Sequence, residues 1–167
     1  MRSEPSSMYA ANMTTNATIR VQEADFDLST EIAAMRQARP DLGAVVAFIG
    51  LVRDINAGST VAAMTLEHYP AMTQKALEGI ATQATQRWDI TDVLIIHRVG
   101  RLLPTDQIVL VAVAGAHRGP AFQACEFIMD YLKTQAPFWK KEQTLNGEQW
   151  VDARETDNAA AQRWDKR

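Results

Sequence analysis

The sequence has little of what builds disulfides or metal sites. Its only cysteine, Cys125, excludes an intrachain disulfide and a thiolate cluster that holds a metal. The three histidines, His68, His97 and His117, lie in separate segments without the spacing of metal ligands. We therefore predict no metal site. We interpret Cys125 as a buried structural thiol rather than a nucleophile, and His97 as a hydrogen-bonded structural residue rather than a catalytic one.

Long apolar runs and a basic surplus are also lacking. No stretch approaches the ~20 apolar residues of a membrane-spanning helix, and residues 1–18 have no apolar centre like that of a secretory signal. Seventeen basic residues stand against 20 acidic ones, for a net charge of −3, which disfavours a nucleic-acid-binding protein. We expect a soluble, cytoplasmic protein with neither a membrane nor a nucleic-acid partner.

What is present suits one domain. A chain of 167 residues, 47% of them hydrophobic, can bury a substantial core. We expect residues 1–18 to be disordered, because they are polar and small, and residues 19–167 to form a single domain, because no linker or repeat interrupts them. On an acidic protein, a local cluster of basic residues indicates a site for a small anionic ligand.

Hydrophobic periodicity predicts strands and helices that interleave along the chain. Strands are predicted over residues 19–22, 44–49, 60–68, 93–99, 107–113 and 150–154. Helices are predicted from Asp27 or Ser29 toward Arg39, from about Met72 to Trp88, from Pro120 to about Thr134, and for a turn or two near 159–164. The compact apolar run over 44–49 predicts a buried strand. In the third helix, Ala121, Cys125, Ile128 and Leu132 recur at three- and four-residue intervals, which predicts an apolar stripe that faces a core, and Pro137 ends the helix near Thr134.

Two connections indicate how the strands pair. The short segment 100–106 joins strands 93–99 and 107–113, which favours an antiparallel pair. The Asn146-Gly147 pair, between extended segments, is the strongest hairpin signal in the chain. We therefore predict an α+β fold with a largely antiparallel sheet.

The third predicted helix has cationic residues at both ends. His117 and Arg118 lie at its N-terminus, where free backbone N–H groups and the helix dipole favour an anion. Lys133 lies in its last turn, and Lys140 and Lys141 follow an aromatic pair. This arrangement suggests a site for an anionic ligand. The spacing alone also fits a simpler interpretation, in which Lys133 only complements the helix dipole and Lys140-Lys141 is a surface pair.

These residues belong to longer blocks, which resemble the signature of the catalytic large subunit of molybdopterin synthase. The blocks are His117-Arg118 with Phe122, residues 127–134 (FIMDYLKT) and residues 136–140 (APFWK). The resemblance continues in residues 43–46, 50–53, 66–70 with Met72, and 96–100. It keeps a consistent order from about Ile19 to Trp164, which makes it far more specific than a lone short motif.

The resemblance implies a fold, a reaction and partners. The implied fold is of the α/β-hammerhead type. The implied reaction converts a pterin phosphate, cyclic pyranopterin monophosphate or precursor Z, into molybdopterin by transferring two sulfurs as a dithiolene, in molybdenum cofactor biosynthesis. A small ubiquitin-like subunit with a C-terminal Gly-Gly thiocarboxylate would supply the sulfur. A central homodimer of large subunits would carry one small subunit at each end, as a heterotetramer. No cofactor is implied.

The resemblance also assigns roles to residues. Catalysis is implied for Lys133 and Lys140. Substrate binding is implied for Arg53, His117, Arg118, Lys133, Lys140 and Lys141, with Arg154 as a further pocket candidate. Leu51 occupies a position that is often basic in the family.

Two other classes of function fit the same residues. A binding module for a phosphorylated metabolite would use the basic pocket without a partner. A scaffold subunit would recruit the ubiquitin-like protein without taking part in the reaction, so that loss of Lys133 would leave activity unaffected. The residues alone leave both alternatives open.

Overall fold

The computed structural model describes residues 16–152 and 154–165. Its strands are β1 Asn16–Gln22, β2 Ala44–Leu51, β3 Ile55–Asn56, β4 Ser59–His68, β5 Asp92–Arg98, β6 Gly100–Leu102, β7 Gln107–Gly115, β8 Phe138–Thr144 and β9 Gly147–Val151. Its helices are α1 Leu28–Arg36, α2 Pro70–Arg87, α3 Arg118–Gln135 and α4 Glu155–Gln162.

The described strands form two sheets. The central sheet has the order β1-β5-β7-β2, in which β1 runs parallel to β5 and the other neighbours are antiparallel. The second sheet has the order β3-β4-β8-β9, with β6 also paired to β4, and all of its pairings are antiparallel. The predicted α+β fold with largely antiparallel sheet is confirmed.

Helices α2 and α3 cover one face of the central sheet and build the main core. The predicted apolar stripe of α3 is buried and packs against α2 and β7. Its members are Ala121, Cys125, Ile128 and Leu132. Helix α1 covers the opposite face, where Ile32 and Met35 pack against Leu94 and Leu110. Within the described residues, no helix combines the length and the apolar character needed to cross a bilayer.

Several predicted boundaries were wrong by a few residues. Strand β1 begins at Asn16, inside the segment predicted to be disordered, because the backbone of residues 16–18 pairs with residues 92–94 of β5. The remainder of that segment, residues 1–15, lies outside the described residues. Helix α1 stops at Arg36 rather than near Arg39, because Ala38 has a φ of 56°, which no right-handed helix contains.

The hairpin near the C-terminus is confirmed, with its return strand earlier than predicted. Gly147 adopts a φ of 108° and pairs with Thr144, so β9 starts at the turn rather than at Trp150. Residue 153, in the predicted return strand, lies outside the described residues. Helix α4 begins at Glu155, before the predicted start near residue 159.

The prediction that residues 44–49 form a fully buried strand was wrong. Strand β2 is an edge of the central sheet, and none of its residues is fully buried. The side chains of Phe48 and Leu51 are 41% and 53% exposed. In this protein, the unbroken apolar run therefore forms an edge strand, which the rest of the described chain covers only in part.

The start of β2 lies tightly against the turn that leads into α3. The Gly43 N–H donates to the Gly115 carbonyl at 3.0 Å. A Cβ atom at residue 43 would lie only 2.2 Å from the Ala116 carbonyl oxygen. Because this approach excludes any side chain, Gly43 helps to set the position of His117 and Arg118, which follow directly.

Gly43→Ala should destabilise the protein by about 1–3 kcal/mol, the range for forcing extra volume into a packed site. Gly79→Ala in α2 is the matched control, because a Cβ added there meets nothing within 4 Å. The control should stabilise by roughly 0.5–1 kcal/mol through helix propensity. Urea unfolding measures both changes, and the same sign for the two variants would contradict the close approach at Gly43.

Candidate active site

A cavity of about 280 Å³ lies where the two sheets meet the C-terminal end of α3. Four cationic side chains line it: Arg53, Lys133, Lys140 and Arg154. The acids Asp152 and Asp157 also line it. Because cations outnumber acids on its walls, the cavity suits a small anionic ligand.

A larger groove of about 620 Å³ lies beside α1 and is chemically less suited to a ligand. Its arginines are already paired, Arg20 with Glu31 and Arg39 with Asp92. With these charges compensated inside the protein, the groove offers little excess positive charge. The smaller cavity is therefore the candidate site.

Lys133 reaches the cavity from the last turn of α3. The helix ends at Gln135, next to Ala136, whose conformation is extended ahead of Pro137. Strand β8 then starts at Phe138, so a very short link brings the helix end and the strand to one cavity. The sequence-based association of Lys133 with Lys140 is supported. The alternative interpretation, in which Lys133 only complements the helix dipole, fits the same position. A turnover measurement on a Lys133 variant distinguishes the two.

Lys140 lines the cavity from β8, with 34% of its side chain exposed. Its Nζ lies 3.6 Å from Glu142 Oε1. Burial lowers the pKa of Lys140; the Glu142 carboxylate opposes this shift, and the positive charges of Lys133 and Arg154 add to it. A lower pKa makes the Lys140 ammonium a stronger acid than that of an ordinary lysine.

Arg154 is tied to the neighbourhood of Lys140 by a chain of polar contacts. Arg154 Nη2 donates to Asn56 Oδ1, and Asn56 Nδ2 donates to Glu142 Oε1 at 2.8 Å. The contacts connect β3, β8 and the segment before α4. They support Arg154 as a pocket residue.

His97 contributes to the cavity wall from β5. Its ring stacks on Phe138 with centroids 3.7 Å apart, and its Nδ1 lies 2.8 Å from the Arg98 carbonyl oxygen. Nδ1 therefore donates a hydrogen bond to that carbonyl. Burial lowers the pKa of His97 to about 4, so the ring is neutral at physiological pH. The structural interpretation of His97 is supported, and its side chain also faces the candidate site.

Lys141 does not line the cavity, although the family resemblance implied a substrate contact. Side chains alternate along β8, so Lys141 lies on the outer face while Lys140 points inward. Lys141 Nζ pairs with Glu148 at 2.6 Å and lies 5.6 Å from the centre of the Trp150 ring. The predicted alternative of a surface pair Lys140-Lys141 therefore describes Lys141 and not Lys140.

His117 and Arg118 lie at the opposite end of α3 from the cavity. His117 is the N-cap residue, and Arg118 opens the helix. Both side chains are exposed, and neither lines the cavity that Lys133 reaches. Within one chain, the structure therefore brings together Arg53, Lys133, Lys140 and Arg154, and keeps His117 and Arg118 apart from them.

Cys125 is buried in the core, as predicted. It is 5% exposed, and its Sγ lies 3.8 Å from the Val111 carbonyl oxygen. Burial raises the pKa of the thiol to about 11, so it is neutral near pH 7. The described residues contain no group of three or more His, Cys, Asp and Glu side chains able to hold a metal.

Sequence reasoning missed three acidic residues at or near the site, namely Asp152, Asp157 and Glu142. For Glu142 a signal was present, because the Asn146-Gly147 turn implies a preceding strand whose alternation places residues 140 and 142 on one face. The same alternation separates Lys140 from Lys141. Asp152 and Asp157 gave no local signal, since only tertiary folding brings the segment after β9 to the cavity.

The fold and the site together define an α+β protein with a basic cavity for a small anionic ligand, in which a lysine of lowered pKa stands beside fixed cations. Comparison with known proteins identifies the family. The chain belongs to the MoaE protein family, whose family model matches residues 21–135.

Two relatives of high identity share one name, and a solved structure shares the fold. The chain is 69% identical over 147 residues to the molybdopterin synthase catalytic subunit of Ralstonia nicotianae, covering 88% of this chain and 84% of that protein. It is 55% identical over 148 residues to the protein of the same name from Pseudomonas aeruginosa, covering 89% and 99%. The solved structure of the molybdopterin biosynthesis MoaE protein from Burkholderia ambifaria superposes with a TM-score of 0.77 at 63% identity, covering 89% of this chain and 98% of that one.

His97 should make the protein less stable in mild acid. Its pKa is about 4 in the folded protein and 6.5 ordinarily, so between these values the unfolded chain binds a proton that the folded protein does not. The free energy of unfolding should therefore fall as the pH falls through this window, by on the order of 3 kcal/mol. Urea unfolding of wild type and His97→Gln checks this, because the variant should show a flatter dependence. Identical slopes for the two proteins would rule out the buried neutral imidazole as the cause.

Proposed function

We propose that this chain is the catalytic subunit of a molybdopterin synthase. It acts as a sulfurtransferase that adds two sulfurs to cyclic pyranopterin monophosphate and forms the molybdopterin dithiolene. The observation that carries the proposal is that Lys133, Lys140 and Arg53 line the same cavity in a member of the MoaE family.

The charges of the cavity suit the cyclic phosphate of that substrate. Arg53 and Arg154 provide guanidinium groups, which bind phosphate oxygens with two parallel hydrogen bonds. Negative charge develops as a sulfur nucleophile attacks and the phosphate ester opens. Cations that are already in place stabilise this charge without reorganising. Such preorganised electrostatic stabilisation is the largest contribution to the rate enhancement of many enzymes.

The two lysines have different roles in the reaction. Lys140 donates a proton to the departing oxygen, a role favoured by its lowered pKa. Lys133, at the end of α3 beside it, holds the phosphate and stabilises the developing charge. Neither step uses a cofactor.

The sulfur is brought by a partner and never resides on this chain. Cys125 is the only cysteine, and its buried neutral thiol is neither accessible nor nucleophilic. A small ubiquitin-like subunit ending in a Gly-Gly thiocarboxylate would deliver the sulfur to the cavity on its C-terminal tail. Its sulfur would form a bond to the pterin carbon, and water would then hydrolyse the resulting thioester, which releases the carrier as a carboxylate and leaves the sulfur on the pterin. The complex works in the cytoplasm, where precursor and carrier meet.

Replacing the cavity lysines should abolish most of the turnover. Lys133→Ala and Lys140→Ala should each reduce product formation from precursor Z and thiocarboxylated carrier by ~10²-fold or more, the scale for losing a positioned acid or charge. Lys141→Ala, next to Lys140 on the outer face of β8, is the matched comparison and should stay within about twofold of wild type. Single-turnover assays measure the three rates, and melting curves show whether each variant folds.

The same experiment separates the rival functions. A binding module for a phosphorylated metabolite would form no product even as wild type. A scaffold subunit would keep its activity in Lys133→Ala. A melting shift with nearly normal turnover in that variant would reduce Lys133 to a partner of the helix dipole.

The geometry of α3 supports a site shared between two copies of the chain. Arg118 and Lys133 are fifteen positions apart, and at ~1.5 Å per residue the helix separates their backbones by roughly 22 Å. Strand β2 runs between the same two regions, from Ala44, which follows the Gly43 that contacts Ala116, to Leu51 at the cavity. No single small ligand bridges that distance within one chain.

The exposed edge of β2 offers the surface for a second copy. If β2 pairs with its own copy antiparallel about a two-fold axis, the start of the partner's β2 lies beside the end of this one. This arrangement carries the His117 and Arg118 pair of the second chain toward Arg53 and Lys133 of the first. It also covers Phe48 and Leu51, which the chain alone leaves exposed. We therefore propose a central homodimer with two shared sites, each served by one small subunit.

Mixing two inactive variants tests the shared site. Arg118→Ala and Lys133→Ala chains, dissociated and allowed to re-associate at random, should recover about a quarter of wild-type activity, because half of the dimers are mixed and each of these has one intact site of two. Mass spectrometry establishes that subunits have exchanged. Exchange without recovered activity would return both residues to sites within single chains.

A further inference from the structure

Glu142 is a buried carboxylate whose hydrogen bonding is incomplete. It lies on the inward face of β8 and is 2% exposed. Oε1 accepts from Asn56 Nδ2 at 2.8 Å, whereas Oε2 is buried without a partner. Removing a carboxylate from water is unfavourable unless charges and hydrogen bonds replace the lost solvent. An acid retained under these conditions calls for a reason beyond packing.

The cation nearest to this carboxylate belongs to the candidate site. Lys140 lies two residues earlier on the same face of β8, with Nζ 3.6 Å from Oε1. Its side chain lines the cavity, whereas Glu142 lies behind it. Asn56 donates to the same Oε1 and in turn accepts from Arg154, which fixes the position of the carboxylate. Two hydrogen bonds and one ion pair therefore connect Arg154, through Asn56 and Glu142, to the ammonium of Lys140.

We propose that Glu142 is a positioning residue for Lys140, which holds the ammonium at the cavity and keeps it protonated until the reaction. For its role in turnover, this inference rests on the proposed function. Asn56 holds Oε1, the oxygen that lies 3.6 Å from the Lys140 ammonium. A carboxylate fixed in this way keeps a counter-ion beside Lys140 at the cavity wall.

The charges around Lys140 explain why such a residue is needed. Burial lowers the pKa of Lys140, the Glu142 carboxylate raises it, and Lys133 and Arg154 lower it again. The remaining titratable or charged groups on the cavity walls are Arg53, His97, Asp152 and Asp157. Without the carboxylate, burial and the neighbouring cations would act unopposed, and Lys140 would lose its proton at lower pH.

Glu142→Gln is the decisive variant, because it keeps the shape and a carbonyl oxygen for Asn56 while removing the charge. Glu142→Asp keeps the charge but withdraws it by one methylene. Glu148→Gln is the matched control, since it removes the carboxylate paired with Lys141 on the outer face of the same hairpin. A purely structural Glu142 would tolerate glutamine, whose neutral amide also hydrogen-bonds to Asn56.

The first measurement needs neither substrate nor partner. The chain has five lysines, so reductive methylation with ¹³C-formaldehyde gives few NMR signals, and Lys140→Arg identifies that of Lys140. The Lys140 titration should shift to lower pH in Glu142→Gln, shift less in Glu142→Asp, and stay unchanged in Glu148→Gln. A Lys140 titration that does not move in Glu142→Gln overturns the proposal, whatever happens to turnover.

The second measurement is turnover as a function of pH. Glu142→Gln should lower kcat about tenfold, the effect of one pH unit in protonation, with KM little changed. The loss should grow as pH rises and shrink in acid, and Glu142→Asp should recover part of it. A loss of equal size at every pH would make Glu142 structural and overturn the proposal. If the wild-type protein forms no product, the proposed function is overturned. The NMR titration would still show whether Glu142 keeps Lys140 protonated.

Discussion

The pairing of β8 with β4 is the constraint on which the candidate site depends most. Its register sets which side chains of β8 face inward, and one residue of slippage would exchange Lys140 for Lys141 at the cavity. Because β8 starts directly after α3, the same pairing also brings the end of that helix, with Lys133, to the cavity wall. The main-chain hydrogen bonds between β4 and β8 thus determine which charged side chains face the cavity.

The site combines groups that repel each other, and the surrounding structure compensates for this. Lys133, Lys140 and Arg154 converge on one cavity, where the positive charges of Lys133 and Arg154 act on the partly buried Lys140. The buried Glu142 and the neutral ring of His97 reduce the net positive charge that the protein must tolerate without a ligand. An anionic ligand would relieve the remaining repulsion, so stability and binding are coupled at this place.

Features of the fold and the site could be predicted from the sequence where they depend on residues that are neighbours in the chain. The apolar stripe of α3, its end before Pro137 and the hairpin at Asn146-Gly147 follow from neighbouring residues and were predicted. The exposure of β2 was not, because an apolar run reads the same whether or not another element covers it. The separation of His117 from Lys133 follows from helix length, whereas the approach of Asp152 to the cavity needs the whole fold.

The burial of Cys125 has a consequence for a protein that is proposed to handle reactive sulfur. With a pKa of about 11, only about one thiol in ten thousand is ionised near pH 7. The side chain also points from α3 into the core, with its Sγ 3.8 Å from the Val111 carbonyl oxygen. Sulfur that enters the cavity on a carrier therefore meets no accessible thiolate of this chain. In the proposed reaction, the pterin does not compete for that sulfur with a cysteine of the subunit.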